Sequence, residues 1–332
     1  MQRFLIIQTA FIGDVVLATG MAEKLRRAYP EAQIDFLLRK GNEGLLANNP
    51  FLNEVLIWNK KQNKWGNLLK LLQLIRSAKY DKVINLQRFA GTGFLTAFSN
   101  AKQKIGFDKN PFSFLFSKKI KHIMNDGRHE VERNHELIKD FTDDAFAKPK
   151  LYPSENDCKS VEVYTTQQYI CIAPSSVWFT KQYPVEKWIE FLNAIPSFIK
   201  IFLLGGKEDK DLCETIASSS TNKNIEVLAG KLNFLQSASL MKNAVMNYVN
   251  DSAPLHFASA MDAPVTAIFC STIPAYGFGP LSTNSFIVET KELLSCRPCT
   301  LHGRKACPLG HYKCAFTIET QQLLNSIANV HA

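Results

Sequence analysis

At 332 residues, 46% hydrophobic and 21% charged, the chain has a globular composition and is long enough for two domains. No uncharged apolar run reaches the roughly 18 residues of a transmembrane helix, and eight cysteines are too few for a disulfide scaffold. The net charge of +9 is uneven: residues 1–150 contain 25 Lys and Arg against 15 Asp and Glu, whereas 151–332 contain 14 against 15. A basic first half suits an acidic partner, such as nucleic acid, an anionic membrane or a phosphorylated substrate, or is simply a solvated surface.

The first apolar run resembles a secretory signal only superficially: MQRFLIIQTAFIGDVVLATGMA. Gln8 and Thr9 interrupt its apolar core, and Asp14 lies inside it. Because a signal peptide has a continuous apolar core, we interpret the run as a buried strand followed by a helix, and we expect a cytoplasmic protein.

Short apolar runs alternate with helical patterns along the whole chain. The first half contains the strand-like runs RFLIIQ, QIDFLL, EVLIW and KVINL, and the helical patterns GDVVLATGMAEKLRRAYP and WGNLLKLLQLIRSA. After the polar stretch PSENDCKSVEVYTTQQ come the strand-like runs YICIAP, IKIFLLGG, IEVLAG, AVMNYVN and APVTAIFC. Helical segments such as VEKWIEFLNAI separate them. This alternation predicts an α/β protein of two doubly wound domains that face each other across a cleft.

Gly13 and Asp14 follow the first predicted strand, at the start of a helix. In doubly wound sheets, ligands bind beyond the carboxyl ends of the strands, so polar residues at these turns are candidates for a site. Asp14 fits a functional carboxylate, or an ordinary first-turn residue that stabilises the helix by about 0.5–2 kcal/mol. Neither GxGxxG nor GxxxxGK(S/T) occurs, which removes the main support for a dinucleotide or P-loop site.

Ser175, Ser176 and Lys181 follow the strand YICIAP. Two hydroxyls, backbone amides and a cation can bind a diphosphate, although capping serines and a solvated lysine give the same pattern. Glu208, with Asp209 beside it, follows IFLLGG; a carboxylate there contacts ribose in dinucleotide folds, or simply begins a helix.

Asp251, Ser252 and His256 occur together in NDSAPLHFASA, between two apolar runs. Asp251 and Ser252 fall at the turn into a helix whose first amides form an anion site by geometry. His256 lies five residues after Asp251, and it either faces the ligand or is a core histidine.

Three segments together resemble glycosyltransferase family 9, the bacterial heptosyltransferases that build the inner core of lipopolysaccharide. They are IGDVVLATGMAEKLRRAYP, APSSVWFTKQYPVEKWIEFL and NDSAPLHFASAMDAPVTAIF, and the resemblance extends over nearly the whole chain. It implies a GT-B fold with an N-terminal acceptor-binding Rossmann-like domain, 1–155, and a C-terminal sugar-nucleotide-binding one, 165–332, whose last helix can pack back on the first domain. It also implies transfer of heptose from ADP-heptose to a phosphorylated, lipid-linked oligosaccharide, with no cofactor required for catalysis.

The resemblance also implies catalytic and acceptor-binding residues. Asp14 matches the general base that takes the proton of the acceptor hydroxyl, so that attack inverts the anomeric carbon. Lys181 would neutralise charge on the departing ADP. Arg88, His129 and Arg133 lie where the family has basic residues on the acceptor side, and Arg suits phosphate recognition. A surface role for each remains open.

The donor-binding residues implied by the resemblance are those of the diphosphate segment, the nucleoside contact and the D-S/T-G-x-x-H pattern: Ser175, Ser176, Lys181, Glu208, Asp251, Ser252 and His256. Two positions depart from the family. Ala253 replaces the usual Gly, and the usual G-P-T-D-P reads CSTIP at 270–274. Because Gly permits close approach of backbone to phosphate, these changes bear on the identity of the donor more than on the fold.

The run PFSFLFSKKIKH combines phenylalanines with lysines. It either packs into the core or contacts the anionic inner leaflet, which would make the protein peripheral at the cytoplasmic face of the inner membrane. No nucleic-acid motif accompanies the basic half, so we expect no nucleic-acid partner.

Four cysteines form the pattern C-x2-C-x7-C-x6-C near the end of the chain: Cys296, Cys299, Cys307 and Cys314. The spacing is compatible with a structural zinc or iron–sulfur site, with reduced thiols in an ordered loop, or with disulfides. None of the four belongs to the transferase motifs.

The sequence therefore predicts an inverting glycosyltransferase, most simply a heptosyltransferase. Its rivals are the same enzyme class with another nucleotide sugar or acceptor, and a non-catalytic nucleotide-sugar-binding protein of the same fold. The presence of both Asp14 and Lys181 argues against the latter, because a binding module needs no base.

Overall fold

The structure is a computed structural model that describes residues 1–124 and 126–328. The chain divides into two compact units, Met1–Tyr152 and Pro153–Ala332. The division falls at the start of the polar stretch PSENDCKSVEVYTTQQ. Part of that stretch forms helix α5, Glu155–Val161, whose N-cap Ser154 accepts a hydrogen bond from the Asp157 amide.

The first unit contains a six-stranded parallel sheet of order β3-β2-β1-β4-β5-β6. Its strands are β1 Arg3–Ile7, β2 Gln33–Arg39, β3 Glu54–Trp58, β4 Lys82–Asn85, β5 Gln103–Phe107 and β6 Lys118–Ile120. Its α-helices in the described residues are α1 Ile12–Ala28, α2 Lys64–Ala78, α3 Ala90–Ala97 and α4 Glu130–Glu136.

The second unit repeats this plan with the strand order β12-β11-β10-β7-β8-β9, again parallel throughout. Its strands are β7 Tyr169–Ala173, β8 Lys200–Leu203, β9 Ile225–Val227, β10 Met246–Asn250, β11 Val265–Phe269 and β12 Ser285–Glu289. Besides α5, its described α-helices are α6 Val185–Ala194, α7 Lys210–Ser219, α8 Phe234–Lys242, α9 Ala253–Met261, α10 Lys313–Phe316 and α11 Thr320–Ala328.

The central strands are continuous apolar runs because helices cover both faces of a parallel sheet. Every residue of β7, β10 and β11 is buried, as are four of the five residues of β1. The nine runs that the sequence predicts as strands all form strands, and the expected doubly wound sheets are confirmed.

Three strands were not predicted: β5, β6 and β12. Their sequences, QKIGF, KKI and SFIVE, are short or carry charges, so they lack the apolar signature of the central strands. Two of them, β6 and β12, lie at sheet edges, where charged side chains prevent pairing with another chain.

The final helix, α11, packs against the core of the second unit. Leu323 and Ile327 join the apolar core of the second unit. The Ser326 hydroxyl donates to the Tyr248 hydroxyl, and it accepts from the Thr266 hydroxyl of β11. The apolar face of α11 therefore contributes to the core of its own unit. Within the described residues, no helix is long and apolar enough to cross a bilayer.

Candidate functional site

An ion pair lies at the carboxyl edge of the second sheet. Lys181, in the loop after β7, places its Nζ 2.7 Å from Oδ2 of Asp251, which follows β10. The same carboxylate oxygen accepts a 2.6 Å hydrogen bond from the Thr272 hydroxyl, after β11. Because β7, β10 and β11 are adjacent in the sheet, the fold brings together three side chains that are far apart in the sequence.

The loop after β7 is fastened to β10 by Asn250, a fully buried residue that the sequence analysis did not single out. Its side-chain oxygen accepts from the Tyr183 amide at 2.9 Å, and its nitrogen donates to the Pro174 carbonyl at 2.7 Å. Asn250 therefore fixes both ends of the segment that contains Ser175, Ser176 and Lys181.

The helix α9 begins directly beside the ion pair. Ser252 is its N-cap residue, and the Ser252 hydroxyl contacts the Asn250 carbonyl at 3.4 Å. Ala253 is the first helical residue with ordinary negative φ, so the backbone here does not require the glycine of the family pattern. His256 is buried one turn into the helix, with its ring 6.4 Å from that of Phe278.

The remaining predicted donor residues lie on the same edge of the sheet and are more exposed. Ser175 and Ser176 are half-buried in the loop after β7. Glu208 is exposed after β8, the neighbour of β7. Asp209 accepts a hydrogen bond from the Gly206 amide at 2.8 Å and thereby caps the turn, and Glu208 is the more exposed of the two carboxylates.

Asp14 lies in the first unit, in the first turn of α1 and half-buried. Its Oδ2 accepts a hydrogen bond from the Phe11 amide at 3.2 Å. The side chain therefore stabilises the helix start, as an acidic residue at this position should. Capping and chemistry are compatible, because a carboxylate has lone pairs for more than one partner.

Asp14 and Arg88 both act electrostatically on a buried carboxylate, Glu130. Burial raises the pKa of Glu130, Arg133 and Arg88 lower it, and the negative charge of Asp14 raises it. Arg133 is itself buried, and its Nε donates to Oε2 of Glu130 at 2.9 Å. Two of the three predicted acceptor residues thus lie around one buried carboxyl group near Asp14.

Two histidines accompany these charged side chains. His129 is the N-cap of α4, and its Nδ1 accepts from the Val131 amide at 3.1 Å. His122, not singled out in the sequence, is buried; burial and then the charges of Arg88 and Arg133 lower its pKa to about 4. At neutral pH the His122 imidazole is therefore neutral and can accept as well as donate a hydrogen bond.

The first unit also contains an apolar cavity of about 520 Å³. Its walls include Trp58, Trp65, Phe89 and Lys60. The Lys60 ammonium donates to the carbonyl and the hydroxyl of Thr9, after β1, at 3.0 and 2.9 Å. Burial, more than neighbouring charges, lowers the pKa of Lys60 to about 8.

The four clustered cysteines are free thiols, as are the other four cysteines of the chain. Burial raises the pKa of Cys314 to about 11, with smaller contributions from Cys296, Cys307 and Cys299, so the thiols are near one another. In the part of the chain that the structure describes, however, no three His, Cys, Asp or Glu side chains are grouped to hold a metal. A structural metal at these four cysteines stays a prediction.

Four residues of these clusters were not identified from the sequence: Thr272, Asn250, Glu130 and His122. Thr272 follows β11 and could have been found by applying the strand-end rule to every predicted strand. Glu130 and His122 carry no such signal, because only tertiary packing buries them beside Arg133.

A family model and curated relatives match most of this chain. The model of glycosyltransferase family 9 (heptosyltransferase) matches residues 68–312. Lipopolysaccharide heptosyltransferase 3 of Escherichia coli is 28% identical over 281 residues, which cover 79% of this chain and 82% of that protein.

Two solved structures have the same fold. The family 9 glycosyltransferase of Veillonella parvula DSM 2008 superposes with a TM-score of 0.85 at 21% identity, covering 99% of this chain and 97% of that one. The ADP-heptose lipopolysaccharide heptosyltransferase II of E. coli gives 0.82 at 18% identity, covering 99% and 98%. With two Rossmann-like domains of the GT-B fold, this chain belongs to glycosyltransferase family 9, the heptosyltransferase family, and is a glycosyltransferase.

Proposed function

We propose that the protein transfers heptose from ADP-heptose to an acceptor in the core of lipopolysaccharide, with inversion at the anomeric carbon. The single observation that carries the proposal is the Lys181–Asp251 pair at the start of α9, within the matched family region. A cation beside a helix N-terminus is a site for a diphosphate. The 28% identical E. coli relative is named a lipopolysaccharide heptosyltransferase, which supports heptose as the sugar and lipopolysaccharide as the acceptor class.

In the proposed reaction, the acceptor hydroxyl loses its proton to the Asp14 carboxylate as its oxygen bonds to the anomeric carbon. The bond between that carbon and the diphosphate breaks, and ADP departs with the electron pair. Lys181, Ser175, Ser176 and the first amides of α9 would stabilise the charge that develops on ADP. Glu208, Ser252 and His256 would hold the ribose, the phosphates and the donor sugar.

The acceptor would bind to the first unit through phosphate groups. Arg88 is exposed, whereas Arg133 is buried against Glu130. We therefore assign direct phosphate contact to Arg88 and assign Arg133 to orienting the charged group around Glu130. His129 would support this group as the cap of α4.

Donor selectivity tests the proposal most directly. Calorimetric titration of the purified chain with ADP-heptose, and with UDP-, GDP- and CMP-sugars, should show selective binding of the ADP sugar. Selective binding of another nucleotide sugar would leave the assignment of Asp14 as the base unchanged but would replace ADP-heptose as the proposed donor. Failure of every nucleotide sugar to bind would contradict a transferase function at this site.

We also propose that the protein acts in the cytoplasm, in peripheral contact with the anionic inner leaflet. Phe114 is 72% exposed and Leu115 is 40% exposed, close in sequence to Lys118 and Lys119. Apolar side chains among lysines favour an anionic lipid surface, and salt should weaken the contact. In vesicle co-sedimentation, phosphatidylglycerol should retain the protein and pure phosphatidylcholine should not. Equal retention of the protein by the two kinds of vesicle would count against this surface. So would equal retention of Phe114→Ser and the unsubstituted protein by phosphatidylglycerol vesicles.

A further inference from the structure

The cysteine-bearing segment, Cys296–Cys314, lies against the loops that carry the proposed donor residues. The Cys299 amide donates to the Ser271 carbonyl at 2.9 Å, in the turn after β11. The Arg304 amide donates to the Thr180 hydroxyl at 2.8 Å, and the Arg304 carbonyl accepts from the Thr180 amide at 3.1 Å. The segment therefore connects two separate loops at the edge of the sheet.

The same segment approaches Lys181 closely. Gly303 has a φ of +82°, and a Cβ atom built there would lie 3.1 Å from Cγ of Lys181. A side chain at this position would strain the left-handed backbone and crowd Lys181. On the other side, the Tyr312 hydroxyl lies within hydrogen-bond distance of the carbonyls of Phe179 and Gln182, which flank Lys181, and its one proton can be donated to either.

Arg297 makes the densest set of contacts in this segment. Its Nε donates to the Cys270 carbonyl at 2.8 Å, and its Nη2 donates to the carbonyls of Phe269 and Thr272 at 3.1 and 2.8 Å. The guanidinium also pairs with Glu289 at 2.6 Å, and its side chain is 12% exposed. A planar guanidinium can satisfy several acceptors at fixed angles, which a lysine cannot do.

Thr272 lies in the turn whose carbonyls Arg297 contacts. That hydroxyl and the Lys181 ammonium share one oxygen of Asp251, at 2.6 and 2.7 Å. A displaced turn after β11 would break the Thr272 hydrogen bond and leave the Asp251 carboxylate, and with it Lys181, less well fixed.

We infer that Arg297 is a positioning residue of the donor site: by holding the carbonyls of the turn after β11, it fixes Thr272 and so sets the placement of the Asp251–Lys181 pair. The inference rests on the proposed function, because it assumes that ADP binds at this pair. It assigns a role to the cysteine-bearing segment that needs no metal.

The test compares ADP binding in Arg297→Lys, Thr272→Val and the double variant. Arg297→Lys keeps a cation for Glu289 but loses the planar guanidinium that contacts several carbonyls. We expect ADP to bind about 10-fold more weakly, equivalent to about 1.4 kcal/mol. Thr272→Val should have a similar effect. Because both act through one hydrogen bond, the double variant should bind little more weakly than either single one.

Two measurements separate positioning from general destabilisation. First, ADP binding is measured by calorimetry under conditions in which near-ultraviolet circular dichroism shows that each variant is folded. Second, the KM for the acceptor is measured, and it should stay unchanged. Lys291→Met is the control: it removes an exposed cation–carboxylate pair of the C-terminal region, 2.6 Å to Glu319, and should leave ADP affinity unchanged.

Each outcome is decisive. Unchanged ADP affinity in Arg297→Lys, or strictly additive losses in the double variant, would overturn the inference while the proposed function stands. If Arg297→Lys does not fold, the test depends on Thr272→Val. Unchanged ADP affinity in that variant overturns the inference that the Thr272 hydroxyl positions the Asp251–Lys181 pair. Weaker ADP binding with an unchanged KM for the acceptor supports it. Failure of the unsubstituted chain to bind ADP would instead contradict the proposed function.

Discussion

Asp14→Asn is expected to lower the rate of sugar transfer about 100- to 10,000-fold, the usual contribution of a general base. The amide is nearly the same size as the carboxylate but cannot take the proton of the acceptor hydroxyl. It can still accept the hydrogen bond from the Phe11 amide, so the start of α1 should persist. Steady-state kinetics gives the rate, and calorimetry should show unchanged affinity for ADP.

The matched control for this substitution is Asp157→Asn. Asp157 holds the equivalent first-turn position of α5, where its Oδ2 accepts from the Ser154 amide at 2.9 Å. Loss of a first-turn charge costs each helix about 0.3–1 kcal/mol. Asp157 also accepts from the Ser154 hydroxyl and the Asn233 side chain, so Asp157→Asn should be at least as destabilising as Asp14→Asn, yet only Asp14→Asn should lose activity. A fully active Asp14→Asn enzyme would exclude Asp14 as the base.

Lys181→Met is expected to weaken ADP binding about 10- to 100-fold, because a hydrogen bond to a charged group contributes about 1.5–3 kcal/mol. The turnover rate should fall further, since the ammonium would stabilise charge that is greatest as ADP departs. Calorimetry with ADP and initial rates at saturating donor separate the two effects. Lys187→Met, which removes a lysine paired with Glu190 on the adjacent helix α6, should alter neither.

Lys181→Met also leaves the Asp251 carboxylate, only 7% exposed, without its cation. The hydrogen bond from the Thr272 hydroxyl remains, but stability should fall by about 1–3 kcal/mol, because a buried charged group has lost one of its partners. Adding Asp251→Asn removes the uncompensated charge, so the double variant should recover stability without recovering ADP affinity. If ADP affinity returned with stability, Lys181 would have only a structural role.

The candidate site was predictable from the sequence to the extent that its residues follow strands directly. Ser175, Asp251 and Asp14 each come just after an apolar run, and the structure places each at a carboxyl end of a sheet strand. Their proposed roles came from the resemblance to family 9, since a first-turn carboxylate alone reads equally well as a cap.

Local sequence was insufficient to predict the environment of a residue whose partners are brought to it only by folding. Arg133 reads as a surface cation, yet it is buried and paired with Glu130. Lys181 reads as a diphosphate ligand or a solvated lysine, yet in the structure it is paired with Asp251, 70 positions away along the chain. Such pairings depend on which strands become neighbours, and that is a property of the whole sheet.

The sequence by itself determined the two doubly wound domains, because buried parallel strands must be continuous apolar runs and crossover helices must be amphipathic. Tertiary structure alone decided the role of the cysteine-bearing segment. No local pattern shows that Arg297 will contact one carbonyl at the end of β11 and two in the turn that follows, since those contacts exist only once β11 and β12 are paired and the chain has turned back over their ends.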